Sequence, residues 1–212
     1  TEGFSKQEIF AMVDELYHMG TRLIFLLGGE PLLHEHIGEI VEYIVGKGIM
    51  LHIITNGTLI KKKLNRIKKA QYLCISLDGP QEYNDRYRGK GTYAVIIDNI
   101  KAALAENLHV RIHPVLTKGS IKILPDLIKV CQELKILMTY SPANYLGETD
   151  FPDFKITDEE YREFWSELIR MKKQGAPIAN SLYALRKVVD WPIRYHAFIT
   201  GEQAKRCHYA PV

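Results

Sequence analysis

Short apolar runs of strand length alternate with amphipathic stretches of helical period from residue 5 to residue 140, and nothing else in the chain restricts its fold so tightly. Ile37, Ile40, Val41, Ile44 and Val45 recur at the i, i+3, i+4 spacing of a helix that buries one side. Met50 to Thr55 then follows as an apolar run too short for a helix. The same cycle predicts strands over about 22–27, 50–55, 72–77, 109–116 and 136–140, and helices over about 5–19, 37–47, 62–69, 93–106 and 121–134. Ser5 with Glu8 reads as a capping box that opens the first helix, and Gly20 and Gly48 stop the first two. Strands that alternate with helices pair in parallel through right-handed crossovers, which leaves a doubly wound sheet or a barrel.

After Ser141 the cycle breaks. A loop holding Pro142, Gly147 and Pro152 leads to a second capping box, Thr157 with Glu160, and to a helix bearing Phe164, Leu168 and Met171. From Gly175 onward no element is assigned. A chain of 212 residues, 46% hydrophobic and 25% charged, fills one well-packed domain, and no shift in composition marks a second. The net charge of +3 is too small for a dedicated polyanion binder, and the basic run Lys61 to Lys69 reads as a solvated helix face. Cys74, Cys131 and Cys207 are too few and too far apart for a disulfide framework or a zinc ribbon, which fits a reduced cytoplasm. No apolar run reaches the roughly 18 residues of a membrane span. Both ends read as cut, since the chain opens at Thr1 and closes at Val212 just after a cysteine-containing segment.

In parallel α/β folds ligands collect at the carboxyl ends of the strands. Those ends are Gly28-Gly29-Glu30-Pro31, Thr55-Asn56-Gly57, Ser76-Leu77-Asp78-Gly79, Thr117-Lys118-Gly119 and Ser141-Pro142. Strand alternation puts Leu73, Ile75 and Leu77 on the face that meets the helices, and Cys74, Ser76 and Asp78 on the other. It likewise sends His109, Arg111 and His113 inward and Val110 and Ile112 outward. A purely structural barrel fills its interior with Val, Ile and Leu, so a lumen holding Arg111 and Asp78 points to a polar site.

The strand ends also carry a resemblance. Leu-Leu-Gly-Gly-Glu-Pro-Leu-Leu (26–33) resembles the GGEP segment that ends the second strand of radical S-adenosylmethionine (SAM) enzymes, and Ile-Thr-Asn-Gly-Thr (54–58) is similar to the end of their third. Ile-Ser-Leu-Asp-Gly-Pro, then Asn84 to Gly89 and Gly91-Thr92-Tyr93, resembles the fourth strand and following loop in the branch that often carries a SPASM or twitch extension. The resemblance implies a partial (β/α)6 barrel over residues 1–145, its first strand missing or truncated, with 146–212 a helical and irregular extension leading toward an auxiliary-cluster domain. It implies that Gly28, Gly29, Glu30 and Pro31 form the edge that binds the methionyl ammonium, and that Ser76 and Arg88 hold the carboxylate. Asn56 and Asp78 become candidates for further polar contacts, to ribose among others. His113 and Val115 become the strand that passes adenine or substrate. The implied activity is that of an oxidoreductase, in which a 4Fe-4S cluster cleaves SAM to a 5'-deoxyadenosyl radical that abstracts hydrogen from a small-molecule or peptide substrate. A donor such as flavodoxin or ferredoxin would supply the electron, and no nucleic acid or membrane partner is expected.

One departure bears on that activity. The family anchors its cluster with CxxxCxxC, and no such spacing occurs here. The expectation is that the motif lies just upstream of Thr1, and that this polypeptide alone does not bind the catalytic cluster. Cys207, within Lys205 to Tyr209, is loosely similar to the start of an auxiliary-cluster extension, beside its reading as an ordinary thiol. His34-Glu35-His36 lacks the i, i+4 geometry of a zinc helix, and in Gly89-Lys90-Gly91-Thr92 the lysine is followed by glycine where a phosphate loop has Ser or Thr. Trp165 and Trp191 read as packing residues, Cys74 and Cys131 as small core residues. Two rival readings remain: a barrel lyase using Lys118 as a Schiff-base lysine, and a non-enzymatic module that binds RNA or a partner through Lys61 to Lys69.

Overall fold

The computed structural model describes residues 3–142 and 156–190. Within them, five parallel strands stand side by side in chain order: β1 (Leu23–Leu26), β2 (Met50–Thr55), β3 (Tyr72–Ile75), β4 (Val110–Ile112) and β6 (Leu137–Met138). A second parallel pair, β5 (Val115–Leu116) with β7 (Ser141–Pro142), continues the last two of them toward their carboxyl ends. The helices are α1 (Lys6–His18), α2 (Ile37–Gly46), α3 (Ile60–Ile67), α4 (Gln81–Arg88), α5 (Thr92–Ala105), α6 (Ser120–Leu134), α7 (Asp158–Lys173) and α8 (Leu182–Val189).

The expected cycle is present, with three differences. The strand expected over 109–116 is broken at His113-Pro114, because proline has no N–H to give the ladder. His113 N–H still donates to the Ile75 carbonyl at 2.8 Å, while the Pro114 carbonyl accepts from Ser141 N–H at 3.3 Å. α4 replaces what reads as a loop, and α8, opened by the Ser181 hydroxyl accepting from Ala184 N–H, falls in the unassigned region. Both expected capping boxes are formed. Gly147, Pro152, Trp191 and Cys207 lie outside the described residues.

The core sits between the sheet and its helices. Ile37, Ile40, Val41 and Ile44 of α2 are buried against Leu51 and Ile53, and Leu73, Ile75, Val110 and Ile112 continue the same face. Each such side chain withdrawn from water contributes about 1.5–3 kcal/mol. The alternate residues, among them His52, Cys74, Ser76, Arg111 and His113, therefore line the opposite, concave side, as the alternation requires. The far edge of the sheet is covered by residues 177–180: Met138 N–H donates to the Pro177 carbonyl, and the Asn180 amide bonds both backbone groups of Tyr140. β1 forms the other edge of the described sheet.

Candidate functional site

The strand ends are tied to one another and to the helices that follow them. Glu30, just past β1, accepts from Leu32 N–H at 3.0 Å and the Thr55 hydroxyl at 2.7 Å through Oε1, and from Asn56 N–H at 2.7 Å through Oε2. The Thr55 hydroxyl in turn accepts from Gly57 N–H at 3.1 Å. Gly57 has φ +81°, and a Cβ there would stand 2.6 Å from Cγ2 of buried Ile75, so both conformation and space demand glycine. Asn99, buried in α5, donates from Nδ2 to the Gly57 carbonyl at 2.7 Å and accepts from Lys61 N–H at 3.3 Å. The side chain of Asn56 is engaged locally, its Oδ1 accepting from the Thr58 N–H and hydroxyl.

A second knot joins β3, α4 and β5. Asp78, 5% exposed, accepts from Arg88 Nε at 2.6 Å through Oδ2 and from Val115 N–H at 3.1 Å through Oδ1. Fully buried Asn84 accepts from Asp78 N–H and donates to the Thr92 hydroxyl. Asp85 caps α5 through Gly91 and Tyr93 N–H, and the Tyr93 bond above all holds its carboxyl below the usual range. The Tyr83 ring fills the space where side chains at Gly79 and Gly119 would stand, and its hydroxyl bonds Thr117. Two rim groups stay available among the described residues: the Arg88 guanidinium uses only Nε, and the Ser76 hydroxyl has no partner. His113, bonded through Nε2 to the Ser141 hydroxyl at 2.9 Å, is held below the usual histidine range by burial and then by the Arg111 charge, against an opposing pull from Asp78.

The model of a family described as the radical SAM superfamily matches residues 2–130. The chain belongs to the radical SAM superfamily. It is 31% identical over 136 residues to the Fe-coproporphyrin III synthase of Methanosarcina barkeri, covering 62% of this chain and 34% of that one. It is 29% identical over 171 residues to the AdoMet-dependent heme synthase of Oleidesulfovibrio alaskensis, covering 75% and 43%. Streptococcus suis SuiB, in a structure bound to S-adenosylmethionine, superposes with a TM-score of 0.70 at 22% identity over 84% of this chain and 43% of that one, a likeness of fold. The chain thus spans about a third to under half the length of these relatives.

In this member of the superfamily the strand-end residues divide by what their polar atoms already touch. Glu30 and Asp78, expected to touch the ligand, spend both carboxylate oxygens on protein donors; the open groups of the first segment are the backbone of Gly28 and Gly29, around which nothing lies within 4 Å of an added Cβ. Pro31 opens a single 3-10 turn ending at Leu33 and has no N–H to offer a ligand. Of the cofactors implied by the superfamily, SAM fits the open groups of this rim, while ligands for the 4Fe-4S cluster are not among the described residues: there no three His, Cys, Asp or Glu are grouped to hold a metal, and Cys74 and Cys131 are both buried. Burial pushes the Cys131 thiol up to about 12.

The weaker motifs resolve as structure. His34 bonds the Phe4 carbonyl and His36 the Glu39 carboxylate, so the two rings serve different partners. In the Gly89–Thr92 turn, Gly91 N–H donates to the Asp85 carboxylate and Thr92 N–H to the Gly89 carbonyl. The side chain of Lys118, the nucleophile of the rival lyase, is 56% exposed with its Nζ 3.9 Å from Glu160, so no apolar pocket encloses it. In the basic run, Lys61 pairs with Asp98 and Lys69 with Glu42, as a solvated helix face would. Trp165 is buried between Tyr161 and Phe164. No helix among the described residues is long and apolar enough to cross a membrane.

Asn84, Asp85, Asn99 and Tyr83 were not expected at the site. The signal available was the dense polar run Asn84 to Arg88 next to Gly79-Pro80, which builds the rim instead of solvating a loop.

Proposed function

We propose that this chain is the SAM-binding core of a radical enzyme, with residues 1–145 as the core and 146–212 as an extension of it. The observation that carries the reading is the Asp78–Arg88 pair. Asp78 grips Nε alone, which leaves the Nη1/Nη2 end of the guanidinium for a carboxylate, and the unpartnered Ser76 hydroxyl stands two residues from Asp78 on the same strand end. The Gly28–Gly29 backbone supplies carbonyls to the ammonium across the rim, with Glu30 holding that backbone in place. Asn56 keeps its side-chain N–H groups and His113 its ring face for the nucleoside portion. Pro31 fixes the turn that ends the first segment.

Bound SAM would be the source of a 5'-deoxyadenosyl radical once its sulfonium received one electron from a reduced 4Fe-4S cluster, leaving methionine as the other fragment, chemistry that the cofactors carry while the protein positions and shields them. This chain's residues bind the zwitterion, orient it and exclude water. The substrate, small molecule or peptide, and an electron donor such as flavodoxin or ferredoxin belong to the same proposal. The membership in the superfamily and the kinds of relatives found support it.

The test compares SAM with decarboxylated SAM by calorimetric titration of the protein as its gene encodes it. Wild type should prefer SAM, and Arg88→Gln should erase that preference, a charge-assisted bond of about 1.5–3 kcal/mol corresponding to roughly ten- to hundredfold. Equal weakening of both ligands would remove the assignment.

A further inference from the structure

Below the rim, the concave face of the sheet carries a cation that nothing on the rim explains. Arg111 pairs in register with Cys74, which pairs with Ile54, so its Cα lies one strand repeat, about 6–7 Å, below the level of Ser76 and His113. Its contacts are all with neutral groups: Nε donates to Cys74 Sγ at 3.1 Å, Nη2 donates to His52 Nδ1 at 3.0 Å, and the guanidinium carbon lies 5.0 Å from the centre of the Tyr72 ring. His52 accepts at Nδ1, so it carries its proton on Nε2 and is uncharged. Among the described residues no carboxylate lies within ion-pair distance of Arg111.

A half-buried guanidinium without a counter-charge is costly unless something anionic visits it. The Cys74, His52 and Tyr72 contacts orient the group without neutralising it. They use Nε–H and one N–H of Nη2, leaving both N–H bonds of Nη1 and one of Nη2. That free end is the two-pronged edge that matches a carboxylate or phosphate. Around it the face is aromatic and apolar. Phe25, His52, Tyr72 and His109 follow one another edge to face or stacked at 4.9, 4.9 and 5.2 Å, and Phe25, Met50, Tyr72 and Leu137 are exposed there. A single cation on such a floor suits one anionic head on an apolar or aromatic body.

We infer that this face is the substrate site, that Arg111 receives a carboxylate or phosphate group of the substrate, and that this subsite is separate from the Arg88 rim. The inference rests on the proposed function, because it makes the concave face the place where the hydrogen donor lies. Of the titratable groups on this face, which also include Tyr72, Cys74, Asp78 and His109, His52 and His113 both respond to the Arg111 charge.

The experiment titrates the protein with 3-phenylpropionate, phenyl phosphate and the neutral 3-phenylpropanol at constant ionic strength, following the His52 and Tyr72 ring signals by NMR. At least one anion should saturate with an affinity tenfold or more above the alcohol, and which anion does so separates a carboxylic from a phosphorylated substrate. Arg111→Gln should reduce that anion to the level of the alcohol, Arg88→Gln should leave it unchanged, and the bound anion should raise the His52 pKa. Arg111→Lys keeps the charge but loses the fork, so it should bind several-fold more weakly while folding normally; it decides the matter if the glutamine variant does not fold. Equal affinity of acids and alcohol in wild type, or loss confined to Arg88→Gln, would overturn the subsite. SAM discrimination, measured on the same proteins, fails or survives independently, so collapse of the rim assignment is distinguishable from collapse of this one.

Discussion

Replacing Gly57 with alanine introduces two separable strains. The backbone there has φ +81°, which costs an L-residue about 1–2 kcal/mol. The new methyl would also sit 2.6 Å from Cγ2 of Ile75, a fully buried strand residue that cannot swing aside, and overpacking of that kind costs about 1–3 kcal/mol more. The expected total, about 2–5 kcal/mol, is a large share of the roughly 5–15 kcal/mol that holds a domain of this size together. Gly48→Ala supplies the control, because Gly48 has φ +74° but open space around it, so only the first strain applies. Urea unfolding of both variants should show Gly57→Ala as the more destabilised, and the excess should reappear as coupling when Ile75→Ala, which deletes Cγ2, is combined with it. If Gly57→Ala costs no more than Gly48→Ala, or the double variant is merely additive, the steric argument is wrong.

Glu30→Gln should lose about 1–3 kcal/mol in the same assay, since one of the three donors that Glu30 now satisfies would face an amide N–H instead of an oxygen. His52 and His113 both have pKa values lowered from 6.5, so their contribution to stability is whole above 6.5 and is lost as pH falls below it, because the unfolded chain takes up those protons first. Unfolding free energies at pH 7.5 and 5.5 should differ by at most about 1.4 kcal/mol per pH unit per histidine, and the His52→Asn/His113→Asn double variant should flatten the slope. The Cys131 thiol, held near 12 by burial, should resist iodoacetamide at pH 8 in the folded protein and react once denaturant is added, as peptide mapping would reveal.

Periodicity made the alternating elements legible because Ile, Val and Leu at the right spacing have few other places to go. Helix α4 escaped that logic: Gln81 to Arg88 contains no apolar stripe, and what fixes it is a buried Asn84 and a tyrosine ring lodged between two glycines, contacts set by distant loops. Pro114 was visible as a residue, but its effect, a strand that stops and resumes against a different partner, depends on where the neighbouring chain lies. At the site, the resemblance singled out Glu30, Asp78 and Arg88, while it took distances to separate the carboxylates that bond protein donors from the guanidinium with an end to spare. Arg111 was readable as inward-facing from alternation alone; its lack of a counter-ion among the described residues was not.

The bonds that Glu30 makes across β1 and β2 have a consequence for the moment of binding. Because Thr55, Leu32 and Asn56 already satisfy that carboxylate, the rim is preorganised: an arriving ligand meets dipoles that are aimed beforehand and need not unmake internal bonds to engage them. On the proposed reading, affinity at the rim would then be set by desolvation of the ligand and of Arg88, and little of it would be lost to rearranging the protein.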